Sequence, residues 1–458
     1  MKSRLIGDRA FYSRALRLAV PIMIQNGITN FVNMLDNLMV GAVGTAAMTG
    51  VAVANQLVFI FNLCIYGAIS GAGIFAAQFY GKGDNEGVRY TFRFKLMICA
   101  VITVVFGIIV LFKGDFLLGL YLRGEGSAEL AKESLDIAHN YISIILIGIF
   151  PYAIAQSYGG TLRETDRPKV PMYAGIAAVT VNLILNYLLI FGHFGFPCLG
   201  AEGAAIATVI SRFVELIYVV LRTHIGKKST FIIGAFRSLK VPIVLVRSMF
   251  IKGMPLLVNE LLWSMGIVFI NQCYSVRGLA VVAADNIAMT FFNVFSVVFM
   301  SVGVAIGIIV GQMLGSGELE KVMDTAVKLR AFSVFTAVIV GLLFAAFSGL
   351  IPNMYNTTDE VRRLARWLMI LCAAGMPIDA FAHASYFTLR SGGKVMITLI
   401  FDSFFVWLVS VPFAFVISRY TSLPIIPFFA LSQALNILKC LLGYFYVKKG
   451  SWIKNLVR

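Results

Sequence analysis

Apolar residues run along this chain in long stretches, separated by short segments that collect charge, Gly and Pro. A helix crossing the hydrocarbon core of a bilayer needs ~20 mostly apolar residues. Twelve stretches qualify: 15–42, 48–79, 91–112, 137–160, 170–192 and 203–221, then 247–275, 282–313, 326–348, 364–389, 395–418 and 424–447. The segments between them, such as "GKGDNEG", "KGDFLLGLYLRGEG", "GSGELEK" and "NTTDE", carry turn and charge signals. The pattern predicts an all-α integral membrane protein with twelve transmembrane helices.

The pattern also repeats. A shift of 234 positions with no gap lays Pro21 on Pro255, Gly44 on Gly278 and Gly73 on Gly307. The same shift lays Gln78 on Gln312, Gly81 on Gly315, Gly83 on Gly317 and Glu86 on Glu320. Further on, Thr161-Leu162-Arg163 is mirrored by Thr388-Leu389-Arg390, and Lys169-Val170 by Lys394-Val395. Two pseudo-symmetric six-helix bundles follow, an N-terminal lobe over 1–221 and a C-terminal lobe over 247–458. Each begins and ends on the same side, so the halves are parallel repeats. The linker 222–246 is basic and amphipathic enough to lie on the inner membrane surface. Two such bundles suggest alternating access, with a substrate path between them.

Composition agrees with the pattern. Of 458 residues, 59% are hydrophobic and 13% charged, with a mean hydropathy of +0.87. A soluble core of this size cannot hide so much apolar surface. The net charge of +16 is explained by orientation. With the N-terminus inside, the inner segments hold 29 Lys and Arg and the outer segments 8, so both termini are expected in the cytoplasm. Nucleic acid is not an expected partner, because basic and aromatic residues never interleave on one polar face. The six cysteines stand singly, which implies neither zinc nor a disulfide framework. Five basic residues precede an apolar run without a small-residue cleavage site, which reads as an uncleaved first span. No P-loop, HExxH, GxSxG or DDxxD-type cluster occurs, so neither ATP hydrolysis nor other enzyme chemistry is expected.

Ionisable groups inside spans carry the chemistry, since a central charge costs about 2.5–3.5 kcal/mol even on insertion scales. Asp379 lies 13 residues after Arg366 and 11 before Arg390, near the middle of its span, two residues after Pro377. Its spacing suits a functional acid better than one merely satisfied by a donor on another helix. Glu260 lies about 12 Å of helix from Lys252 and reads either as functional or as snorkelling to the inner interface. Both acids belong to the second bundle and can face one cavity. Asp36, in "TNFVNMLDNLMVG", lies about 28 Å of straight helix beyond Arg17. That spacing fits an internal site or an interfacial Asp capped by Asn30, Asn33 and Asn37. The 234-residue shift puts Ile270 opposite Asp36, so the carboxylate is an addition to one lobe and not a requirement of the repeat. Asn182 and Asn186 are four apart on one helical face. They read as interhelical glue or as oxygen ligands of a hard cation, and Thr208 has the same two readings. Among the histidines only His383 lies near these acids, one turn beyond Asp379.

Taken in order, "AVPIMIQN" and "MLDNLMVGAVG" in span 1, "LRETDRPKVPMYAG" and "VNLILNYLLIFGHFGFPCLGAEGAAIATVISR" across spans 4–6, "GMPLLVNELLW" in span 7 and "GMPIDAFAHASYFTLRSGGK" in span 10 form a pattern. Over nearly its whole length the chain resembles the multidrug and toxic compound extrusion (MATE) family of cation-coupled efflux transporters. The resemblance implies that Asp36 couples Na+ or H+ in the N-terminal lobe with Asn182, Asn186 and Thr208 as polar partners. Some branches carry an aspartate at the second span-5 position; here it is Asn186, which leaves this lobe one carboxylate. It also implies that Glu260 and Asp379 bind sodium or substrate in the C-terminal lobe.

Burial favours the protonated form of a carboxylate. Such a group can hold H+, bind Na+ with neighbouring oxygens, or pair with a cationic drug, and competition for it couples the fluxes. Trp263, Tyr274, Met289, Phe291 and Phe292 can supply an adaptable apolar wall, although each alone also suits plain helix packing. The expectation is a multidrug efflux antiporter of the cell membrane, working as a monomer among membrane lipids on small organic cations. No cofactor is expected beyond Na+ or H+ as the coupling ion. Rival readings are a lipid-linked oligosaccharide flippase of the same broad superfamily, an integral membrane enzyme and a channel. The intramembrane charges are mainly acidic, which favours a cationic substrate over a lipid-linked sugar.

Overall fold

The structure is a computed structural model that describes residues 5–121, 128–225 and 230–457. The end "LRGEG" of the loop 113–126 and the "GKKS" part of the linker therefore lie outside the described residues. Among the described residues there is no strand, and twelve long helices follow the predicted order. They are α1 (Arg9–Gly41), α2 (Thr45–Lys82), α3 (Asn85–Tyr121), α4 (Ala128–Glu164), α5 (Lys169–Phe191) and α6 (Gly200–His224). Then come α7 (Ile243–Ser275), α8 (Leu279–Ser316), α9 (Leu319–Phe347) and α10 (Asp359–Ser391), followed by α11 (Val395–Tyr420) and α12 (Ile425–Lys448). All but α1 are long and apolar enough to cross a membrane by length and composition. The hydropathy of α1 is lowered by three arginines and by polar side chains from Gln25 to Asn37, although its 33 residues exceed the required length. The chain is a multi-pass membrane protein.

Several helices outrun their apolar stretches. Thus α3 starts at Asn85 and α4 ends at Glu164, because a helix goes on satisfying its own backbone where the hydrocarbon ends. At the start of α10 the Thr358 side chain accepts a hydrogen bond from the Val361 amide (3.4 Å), with Asp359 and Glu360 in the first turn, both favourable at a helix N-terminus. Within α11 two stretches, Ile400–Phe404 and Val406–Ser410, are π-helical, a local widening often found at functional positions.

The repeat is visible in the backbone. Gly83 after α2 and Gly317 after α8 hold φ of 81° and 83°, a left-handed conformation that only glycine adopts cheaply. Pro21 and Pro255 lie inside α1 and α7 at matching positions.

The chain divides into two compact units. The N unit comprises residues 24–76 and 85–253; the C unit comprises 1–23, 77–84 and 254–458. The N unit is packed around α2, α4 and α6 with Phe61, Ile65, Ile142 and Ala205 at its centre. The linker belongs to it: Arg93 donates to the carbonyls of Ala235 (2.7 Å), Gly234 (3.0 Å) and Lys240 (3.2 Å). Phe231 of the linker is buried against Phe92, ring centroids 5.4 Å apart. The C unit has two cores. One holds Phe299, Phe344, Met376 and Phe428. The other joins the first turns of α1, through Ala15, Leu18 and Ile22, to α8, α9 and Trp452.

Candidate functional site

In the N unit three helices converge on one carboxylate. Asn186 of α5 donates through Nδ2 to Asp36 Oδ1 of α1 at 2.5 Å and to Asn182 Oδ1 at 3.3 Å. Asn182 Nδ2 donates to Thr208 Oγ1 of α6 at 3.4 Å. The four residues named from the sequence are thus brought together, with Asn182 and Asn186 buried. In this arrangement Asn182 Oδ1 faces Asp36 Oδ1 at 3.1 Å and Oδ2 at 3.3 Å. Acceptors that close repel each other unless a proton or cation lies between them or the amide turns to donate. Asn186 Oδ1 is buried and has no hydrogen-bond partner. A carboxylate, two amides and a hydroxyl therefore converge, a polar set that suits a proton on Asp36 or a hard monovalent cation beside it. Arg212 of α6 and Tyr141 of α4 interact electrostatically with Asp36. The Arg212 guanidinium lies 4.5 Å over the Tyr152 ring and 3.5 Å from Glu215 Oε2.

The C unit holds a larger network. Asp379 of α10 accepts from Asn436 Nδ2 of α12 at 3.2 Å, and Asn436 also reaches Gln433 Oε1 at 3.3 Å. Asp402, in the first π-helical stretch of α11, is engaged on both oxygens. Lys439 of α12 donates to Oδ1, and Asn259 Nδ2 of α7 to Oδ2 at 3.0 Å. Asn259 is held in turn by Ser403, whose hydroxyl donates to its backbone carbonyl (2.7 Å) and its Oδ1 (2.8 Å). The charged groups that act on Glu260 are Asp402 and Arg390. Glu260 and Asp379 make no direct hydrogen bond; both belong to the surroundings of the Asp402–Lys439 pair. His383 lies among the same charges and meets Phe299 edge-on at 5.8 Å.

Sequence reasoning missed Asp402, Lys439, Asn259 and Asn436. Lys439 was counted with the basic C-terminal segment, although it stands inside α12 and is paired with an acid. The intramembrane charge is therefore not mainly acidic: Lys95, Arg212 and Lys439 each stand inside a helix beside a carboxylate. The signal was present, because Asp402 in "IFDSF" and Lys439 in "NILKC" are lone charges in apolar runs and satisfy the rule that selected Asp36. Of the expected apolar wall, Tyr274 is buried in the core against Phe428 (5.0 Å) and Phe429 (5.4 Å). Met289, Phe291 and Phe292 pack partly buried on that core, while Trp263 is 37% exposed.

A duplicated, twelve-helix membrane protein that keeps carboxylates and their polar partners inside its bundles has the construction of a secondary transporter. The MatE family model matches residues 21–188 and 255–416, one stretch in each repeat. The chain belongs to this family, the MATE multidrug efflux transporters. The chain is 26% identical over 451 residues to the "Probable multidrug resistance protein NorM" of Thermotoga maritima, covering 96% of this chain and 93% of that protein. It is 26% identical over 449 residues to the "Probable multidrug resistance protein YoeA" of Bacillus subtilis, covering 96% and 94%. Among solved structures, the outward-facing conformation of a multidrug resistance MATE family transporter of the MOP superfamily superposes with a TM-score of 0.85 at 19% identity, over 98% of each chain. A variant of the Vibrio cholerae MATE transporter VcmN gives 0.85 at 16% identity, over 96% of this chain and 97% of that one. These proteins are transporters and not enzymes, which sets aside the membrane-enzyme reading.

Proposed function

We propose that the protein is a secondary active efflux antiporter of the cell membrane. It exchanges organic, mainly cationic compounds for inward Na+ or H+ by alternating access, as a monomer with both termini in the cytoplasm. The observation that carries the reading is the meeting of the Asp36 carboxylate with the Asn182 and Asn186 amides of α5, a polar cluster with no basic side chain among the described residues hydrogen-bonded to the acid. Asp379 is the corresponding acid of the C unit, with Asn436 as its neutral partner. A single negative group that accepts either the coupling ion or the substrate, but not both, ties one flux to the other. The names of the curated relatives, multidrug resistance proteins, support a broad range of compounds. The flippase reading has less support, since neither named acid is paired directly with a basic side chain that would present it to a lipid phosphate as a neutral unit.

The test is efflux of a fluorescent organic cation from membrane vesicles under a sodium gradient alone and then a pH gradient alone. Wild-type protein drives efflux under at least one gradient. Asp36→Asn and Asp379→Asn each lose about tenfold or more of that rate. Full wild-type efflux in both variants would sink the assigned roles.

A further inference from the structure

Each six-helix repeat places a basic side chain on its last helix, one turn beyond a polar partner of its acid cluster. In the N unit, Arg212 follows Thr208 by four residues on α6; in the C unit, Lys439 follows Asn436 by three on α12. Residues at these spacings share a helix face. Each base is held by a second acid outside the primary pair. Arg212 Nη1 lies 3.5 Å from Glu215 Oε2, and Lys439 Nζ is bonded to Asp402 Oδ1. Each also acts electrostatically on the primary acid, Arg212 on Asp36 and Lys439 on Asp379. The helices differ in sequence around these residues, so the arrangement is present twice on different side chains.

A holding acid has a physical purpose. An acid that releases its cation inside a bundle is left as an unpaired buried anion, which is strongly unfavourable. Solvent reaches these sites only in part: Asn186 is fully buried and Lys439 is 9% exposed, while Asp36 and Asp379 are half-buried. A Lys or Arg side chain on a flexible stem, one turn away, can supply the missing charge. It can do so only if it has somewhere to return when the cation binds again. Asp402 is built for that: Asn259 holds its second oxygen, and Ser403 fixes Asn259, so the acid stays in place whether or not Lys439 is on it.

We propose that Lys439, and Arg212 in the N unit, are tethered counter-cations: each rests on Asp402 or Glu215 while the primary acid holds its cation, and swings to Asp379 or Asp36 when that cation leaves. The inference rests on the antiport reading and adds the residues that make release affordable. It has a quantitative consequence. A tethered cation competes with the free one, so it weakens cation binding and speeds release. Removing it together with its holding acid leaves no unpaired charge, and the bundle keeps its fold.

The experiment is ethidium binding to the purified full chain in detergent, with net ethidium efflux by the same protein in vesicles. Lys439→Met combined with Asp402→Asn is expected to bind ethidium about tenfold more tightly and to turn over about tenfold more slowly. Lys439→Arg, which keeps the charge, stays near wild type in both. Arg212→Met with Glu215→Gln repeats the split in the other unit and serves if the first double variant does not fold. Unchanged or weaker binding, or binding and turnover that fall together, would mean that the pairs are structural or bind substrate directly, and overturns the proposal. Binding by wild type that survives Asp379→Asn and Asp36→Asn without change overturns the antiport reading and this inference with it. Binding that is lost in those two variants while the double variants show no split leaves the antiport reading standing and removes only the counter-cations.

Discussion

Lys95 is fully buried on α3, with its ammonium 2.5 Å from Glu164 Oε2 and 3.2 Å from Thr161 Oγ1 of α4. A pair so placed contributes little net stability over an apolar pair of the same shape, yet removing one member strands the other. Lys95→Met alone should therefore destabilise the protein by about 3–5 kcal/mol, and Lys95→Met with Glu164→Gln by about 1 kcal/mol or less. Thermal unfolding of the purified variants in one detergent measures both; equal losses in the single and double variants would contradict the argument. The pair also shows where residue-level reading stops. Asp36, Asn182 and Asn186 stood out because a lone carboxylate and an i,i+4 amide pair are local patterns, but only the family resemblance grouped them. Lys95 with Glu164, and Asp402 with Lys439, are separated by 69 and 37 residues. Each base stood close enough to a basic segment to be read as part of it. Only the packing of α3 on α4 and of α12 on α11 reveals the partners.

The number and order of the helices were legible, because hydrocarbon thickness and helical rise leave few choices of length, but their ends were not: α4 begins at Ala128 against an expected 137, and α3 ends at Tyr121 against 112. What joins them was legible only through the repeat. The matched Gln78/Gln312 and Gly81/Gly315 are reciprocal contacts: a Cβ on Gly81 would run into the Gln312 carbonyl, and one on Gly315 into the Gln78 carbonyl. The ends of α2 and α8 thus cross backbone to backbone, a close approach that small residues permit. The repeat indicated that these positions are equivalent; it did not indicate that they touch. Gly81→Ala and Gly315→Ala should each cost about 1–3 kcal/mol through overpacking. Gly107→Ala, in the middle of α3 where nothing lies within 4 Å of the new Cβ, should be neutral or stabilising by helix propensity. Thermal unfolding of the three variants checks the order; a Gly107 variant as unstable as the other two would refute it. Pro21 and Pro255 lie within three residues of the points where α1 and α7 pass from one unit to the other, a coincidence the sequence could not display because the units are not contiguous in the chain.

At the scale of the molecule, the number of crossings decides which chain ends meet. If every helix crosses once, the ends of all even-numbered helices lie on the side where the chain begins. The C-terminal tail agrees with that rule on every contact. Gln78, near the end of α2, donates to the carbonyls of Ser391 (2.9 Å) and Lys454 (3.3 Å) and accepts from the Leu456 amide (2.7 Å). Lys82, the last residue of α2, donates to the Val457 carbonyl at 2.7 Å, and Asn455 donates to the Gly315 carbonyl of α8 at 3.3 Å. Ser391 ends α10, and Arg14 near the start of α1 donates to Gln312 of α8 at 2.8 Å. Ends of α2, α8 and α10, the beginning of α1 and the tail are therefore on one side, the side for which the excess of Lys and Arg predicts a cytoplasmic location. Trp452 anchors the tail: it is fully buried, and its indole N–H donates to the Val447 carbonyl at 2.9 Å. The Lys454 side chain is exposed and only its carbonyl is used. Trp452→Ala should then lower stability by about 3–5 kcal/mol, the range for emptying a large aromatic site, while Lys454→Ala stays within about 0.5 kcal/mol of wild type. Thermal unfolding in detergent separates them by many degrees if the tail is a structural tie, and a Trp452→Ala protein that melts with wild type would show that the tail only rests on the bundle.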